Sequence, residues 1–203
     1  MILPTEQQCL DWFEQFKVPK NILEHCLKVR EVANFLAQEL KKSGINLDLE
    51  LVNRSALLHD LFKVVSFKEL VPNKYHSYIF SAEETVMWKF LREKFPNMHE
   101  GEASYTFFKE EYPELALCLK IICGTAERER TWEEMIVYYA DLRVFRNEIV
   151  SVAERTAYLQ EIYPHGSEWW DNELVLIHEY EQKIIKTIGT DAESLSTEIK
   201  SLT

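Results

Sequence analysis

An all-α fold, a compact multi-helix bundle, is what this sequence predicts. Three observations carry that expectation. Apolar residues recur at helical spacing through most of the chain, and cap residues stand where the periodic runs begin. Glycine and proline are also scarce, five and six in 203 residues, which disfavours a turn-rich all-β architecture.

The elements follow in order. Thr5 caps a short first helix carrying Leu10, Phe13 and Phe16 at helical spacing. Pro19 suits the first turn of a second helix, which runs to about Lys42 before Ser43-Gly44 ends it. Its apolar stripe includes Ile22, Cys26, Val29, Val32, Leu36 and Leu40, with His25 beside it. A third helix begins after Asn46 and Asp48 and carries Leu51, Val52, Ala56, Leu57, His59 and Asp60. Residues 66–80 are irregular, with a turn at Pro72-Asn73 and His76 in a surface loop able to serve as a lid.

Ser81 followed by Glu83-Glu84 marks the next helix start, its acidic residues favouring the positive end of the dipole; the helix ends near Phe95-Pro96-Asn97. Helices from about His99 to Glu111 and from Pro113 to Cys123 come next. Thr131 and Glu134 form a capping-box pattern for a helix bearing Ile136, Val137, Tyr139, Ala140 and Asp141. Helices near 151–162 and 167–188 close one domain spanning 1–188, and the polar tail 189–203 is expected to fray or dock loosely.

Composition bounds the function. Hydrophobic content of 46% and charged content of 28% are ordinary for a globular protein. A net charge of −11 argues against broad binding to polymeric nucleic acid or an anionic membrane, both of which need a positive surface. A small phosphorylated substrate needs only a local cluster of cations and stays open. No apolar run is long enough to cross a bilayer, and the N-terminus lacks the basic and hydrophobic parts of a signal peptide. Cys9, Cys26, Cys118 and Cys123 show no C-x-x-C spacing, so they read as reduced thiols of a cytoplasmic protein.

The chemistry concentrates in four residues. His59-Asp60 interrupts an otherwise apolar run, where two such side chains are costly without a partner. A divalent metal is such a partner, and His25 and Asp141, each set among apolar residues, offer further ligands. Adjacent helical residues point about 100° apart. His59 and Asp60 therefore share a metal only if it sits close over the end of their helix, which also turns Lys63 toward the site.

The order His25, His59-Asp60, Asp141 resembles the H…HD…D signature of the HD-domain superfamily. Local context is similar too: Ala56-Leu57-Leu58-His59-Asp60-x-x-Lys63 and Ile136–Val144 resemble that family's two core motifs. The resemblance covers about residues 20 to 160 and implies an all-helical HD-domain bundle with metal-dependent phosphohydrolase activity. His25, His59, Asp60 and Asp141 are then the metal ligands, and the cofactor is one divalent ion drawn from manganese, iron, cobalt, nickel, zinc and magnesium.

Asp60 would also orient or deprotonate a water, and Lys63 would neutralise charge on the phosphoryl oxygens. His99 resembles a position that helps hold a second metal in some relatives, but Gly124 stands where the next histidine is expected. His99 is thus assigned near the substrate or to a weak second metal site, with Arg128, Arg130 and Arg143 as phosphate-binding candidates. The expected substrate is a small phosphate ester, nucleotides included. The alternatives are a degenerate domain that binds a nucleotide or protein partner without turnover, and a di-iron oxygenase, which Gly124 disfavours.

Overall fold

The computed structural model describes residues 1–71, 78–124, 128–162 and 165–202. The expected turn at Pro72-Asn73 and the lid candidate His76 lie outside the described residues. The described chain is almost entirely helical. Helices α1 (Glu6–Gln15), α2 (Lys20–Lys42), α3 (Leu49–Leu58), α4 (Ala82–Lys94) and α5 (Glu100–Phe108) form the first half. Helices α6 (Pro113–Cys123), α7 (Trp132–Asp141), α8 (Val152–Ile162), α9 (Ser167–Ile188) and α10 (Ala192–Lys200) form the second.

The caps act where the sequence places them. Thr5, Ser81 and Thr131 each accept a hydrogen bond from the third residue of their helix, whose side chain bonds back to the cap. Helix α2 is the axis, packed along α3, α7 and α9. Ile22, Cys26, Val29, Val32, Ala33, Leu36, Ala37 and Leu40 are all buried on it, as their spacing dictates. Truncating one such residue, Leu36 for instance, costs about 2–5 kcal/mol by the cavity it leaves.

Three features depart from the sequence reading. The third helix stops at Leu58, one residue short of the His59-Asp60 doublet. Leu61 N–H donates to Leu58 O, Lys63 N–H to Asp60 O and Val65 N–H to Phe62 O, so the chain tightens into three-residue turns ending in a 3-10 helix, Lys63–Ser66. Burial of Leu61 and Phe62 drives this. Phe62 packs its ring against Phe16, Phe95 and Phe107 at 5.2–5.3 Å between centroids.

The second departure is a short antiparallel hairpin after α7, β1 (Val144–Phe145) and β2 (Glu148–Ile149), with Arg146 at φ 59° in its turn. Arg143 and Arg146 lie beyond the end of the helix that carries Asp141. The third is the C-terminus. Read as a tail that frays or docks loosely, it forms the helix α10, capped by Asp191, with Leu195 and Ile199 burying one face against the core.

Candidate metal centre

Each ligand candidate is delivered by a different local device. His25 sits on the buried stripe of α2, Asp141 is the last residue of α7, and His59 and Asp60 leave the end of α3 in the tightened turns. His25, His59 and Asp60 each bring one ligand atom within 4.8 Å of the others, and they are the only such cluster found among the described residues. Asp141 joins them through the imidazoles: its Oδ1 is 2.9 Å from His25 Nε2 and 3.9 Å from His59 Nε2. The four residues that the sequence singles out are thus brought together.

The ring nitrogens define what the cluster can hold. His25 Nδ1 donates to the carbonyl of Arg146 (2.9 Å), and His59 Nδ1 donates to the carbonyl of Ala56 (2.8 Å). A carbonyl only accepts, so both Nδ1 atoms carry the proton and a neutral ring leaves Nε2 as a bare lone pair. The His59 lone pair is buried without a hydrogen-bond partner, a deficit of about 1–3 kcal/mol if nothing else meets it. That of His25 faces a carboxylate oxygen, and two acceptors need a positive charge between them. A divalent metal answers both. Backbone carbonyls holding the distal nitrogens are the usual means of orienting histidine ligands. The hairpin, missed from sequence, supplies one of those carbonyls.

The electrostatics agree. Burial alone would raise Asp141, but Arg155, His25 and His59 hold its carboxyl well below the usual range. Burial opposes ionisation of Asp60 too, and Lys63, His59 and His25 outweigh it. Burial pushes His59 down, yet Cys26, Asp60 and Asp141 beside it raise the ring to about 9 in the metal-free protein, where a proton takes the Nε2 position that a metal would otherwise fill. The site is built to keep carboxylates charged and to attract a cation.

Lys63 lies next to this cluster. Its Nζ is 3.5 Å from Asp60 Oδ1 and 2.5 Å from Glu100 Oε1. His99 caps α5 and its Nε2 is 3.0 Å from Glu100 Oε2. Glu100, absent from the sequence reading, is a buried carboxylate at the centre of these contacts. Its signal was present: Glu100, Ala103, Ser104 and Phe108 fall on one helical face, and all are buried.

The three arginine candidates each have protein partners. Arg128, whose side chain is 44% exposed, forms a fork with Glu134 at 2.8 and 3.0 Å. Arg130 is buried, stacks over Tyr138 at 4.2 Å and donates to Tyr180 and to the carbonyls of Ile121 and Gly124. Arg143 donates to the Val150 carbonyl, Tyr139 and Ser196. Arg128 and Arg143 hold loops and helices together, and Arg130 does so through its terminal nitrogens while its buried Nε stays unpaired.

The arginine that does reach the cluster is Arg155 of α8. Its Nη2 is 3.4 Å from Asp141 Oδ1, and its buried Nε has no partner. No spacing rule links it to Asp141, because the hairpin turns the chain between them.

Comparison with known proteins agrees with the geometry. The family model of the HD domain matches residues 22–159, which takes in all four clustered residues. An uncharacterized protein of Methanocaldococcus jannaschii is 48% identical over 42 residues, 21% of this chain. The match spans a quarter (25%) of that relative's length. No solved structure matches the chain. No described helix is long and apolar enough to cross a membrane.

Proposed function

The chain belongs to the HD domain family, and on that premise we propose that it is a metal-dependent phosphohydrolase acting on a small phosphate ester, nucleotides included. One observation supports this above the others: two histidines are locked by backbone carbonyls so that their bare Nε2 atoms converge on two carboxylates. His25, His59, Asp60 and Asp141 would hold the divalent ion. When bound, such an ion supplies a Lewis-acid charge and an acidified water near neutral pH.

The chain's own residues do the rest. Asp60, whose outer oxygen also faces Lys63, orients the attacking water, accepts its proton and passes it to the leaving ester oxygen. The water oxygen bonds to phosphorus as the ester P–O bond breaks, giving orthophosphate and an alcohol. Lys63 offsets charge on the phosphoryl oxygens. Arg155, whose guanidinium reaches the cluster 3.4 Å from Asp141 Oδ1, binds the phosphate.

A panel of phosphomonoesters and nucleotides, assayed with manganese, cobalt, magnesium and zinc in turn, tests the reading. Metal-dependent release of orthophosphate from at least one substrate is the expected result. Stoichiometric metal with no turnover on any phosphate ester would move the chain to a binding role.

A further inference from the structure

Glu100 and Lys63 form a unit that the four-ligand cluster does not require. Glu100 is buried, and both its oxygens are engaged. Oε1 takes the Lys63 ammonium at 2.5 Å, while Oε2 accepts from Ser66 Oγ and lies 3.0 Å from His99 Nε2. Ser66 Oγ in turn accepts the Glu100 backbone N–H at 3.1 Å, closing a ring that fixes the carboxylate. The α5 helix carrying it packs closely on α6, where a Cβ at Gly101 would meet the Cys123 side chain at 2.9 Å.

Asp60 consequently stands between two positive positions. Its Oδ2 lies toward the imidazoles, 3.8 Å from His59 Nε2, and its Oδ1 lies 3.5 Å from the ammonium. A second divalent ion beside Asp60 would draw on this outer oxygen and on the imidazole of His99. The ammonium of Lys63 already occupies the first, and Glu100 occupies the second. Gly124 offers no ligand, and any Cβ built there would stand only 3.0 Å from the Lys120 carbonyl.

We propose that Lys63, clamped between Asp60 and Glu100, is a built-in second cation, and that the chain therefore holds a single divalent ion. The ammonium supplies the charge that a second metal would bring, with Glu100 as the positioning residue that keeps it there. This rests on the metal reading of the His25, His59, Asp60 and Asp141 cluster, and the test separates the two.

Manganese is titrated into the metal-free full chain, with free ion followed by electron paramagnetic resonance and bound ion by elemental analysis. The wild type is expected to bind one equivalent and the neutral variant Lys63→Met a second, weaker one, because two carboxylates and His99 are then left without a cation. Lys63→Met/Glu100→Gln, which removes both charges, returns to one equivalent. Should Lys63→Met fail to fold by circular dichroism, Lys63→Gln, which can still donate to Glu100, makes the same comparison. Two equivalents in the wild type, or one in the folded Lys63 variant, overturn the built-in cation. No bound manganese in the wild type overturns the metal reading itself.

Discussion

His59 and Arg143 are both buried polar side chains, 3% and 2% exposed, and they end in opposite conditions. Arg143 is surrounded by acceptors supplied by β2's flank, α7 and α10, and its donors reach Val150, Tyr139 and Ser196. His59 has one nitrogen satisfied by Ala56 and the other left bare against two carboxylates. A buried polar group whose partners are all internal serves the fold. One whose last bond is missing, in a cluster of like-minded groups, is waiting for a ligand.

Breaking the His59 side of the contrast should have the largest effect. Asp60→Ala is expected to abolish stoichiometric metal binding and to lower turnover by more than about 1,000-fold, with the helical circular dichroism retained. Survival of both metal content and activity would place the site elsewhere. Next comes Arg143→Met, which strands the Val150 carbonyl and removes the donor to the Tyr139 and Ser196 hydroxyls. Urea unfolding should show a loss of about 3 kcal/mol while the folded fraction keeps its metal. A stable variant with depleted metal would mean that Arg143 belongs to the site after all.

Arg155→Ala sharpens the comparison between arginines. It should cut kcat/KM by about 10–100-fold and weaken inhibition by orthophosphate in parallel. An unchanged orthophosphate constant would make Arg155 merely the counter-ion of Asp141. The smallest effect concerns the metal-free protein. There the folded His59 is raised to about 9 from an unfolded value near 6.5. Its contribution to stability is complete below about pH 6.5 and is lost as pH rises toward about 9. In chelator, Tm should therefore fall across that window, whereas the metal-loaded protein, which needs the neutral ring, should not show the same decline.

Much of the fold was legible because its signals are local. Thr5, Ser81 and Thr131 cap the helices they announce, and the α2 stripe is buried as spaced. The four clustered residues were legible because polar groups in apolar runs are costly. The hairpin was hidden because Val144–Ile149 is too short for a period-two pattern to emerge. The end of α3 was hidden because Leu61 and Phe62 continue its apolar character while the backbone obeys the demand to bury them elsewhere. The arginines misled for a related reason. A guanidinium near a motif in sequence carries no information about which carbonyls will claim its donors in three dimensions. Arg143 found three partners from segments up to 53 residues away.

The account stands or falls on where a metal sits. Anomalous diffraction at the manganese edge, from crystals of the full chain grown with manganese, reads this directly. The prediction is a single peak about 2.0–2.2 Å from Nε2 of both His25 and His59, with Asp60 and Asp141 completing the protein ligands. No peak at those nitrogens, with the ion bound elsewhere on the chain, would contradict it.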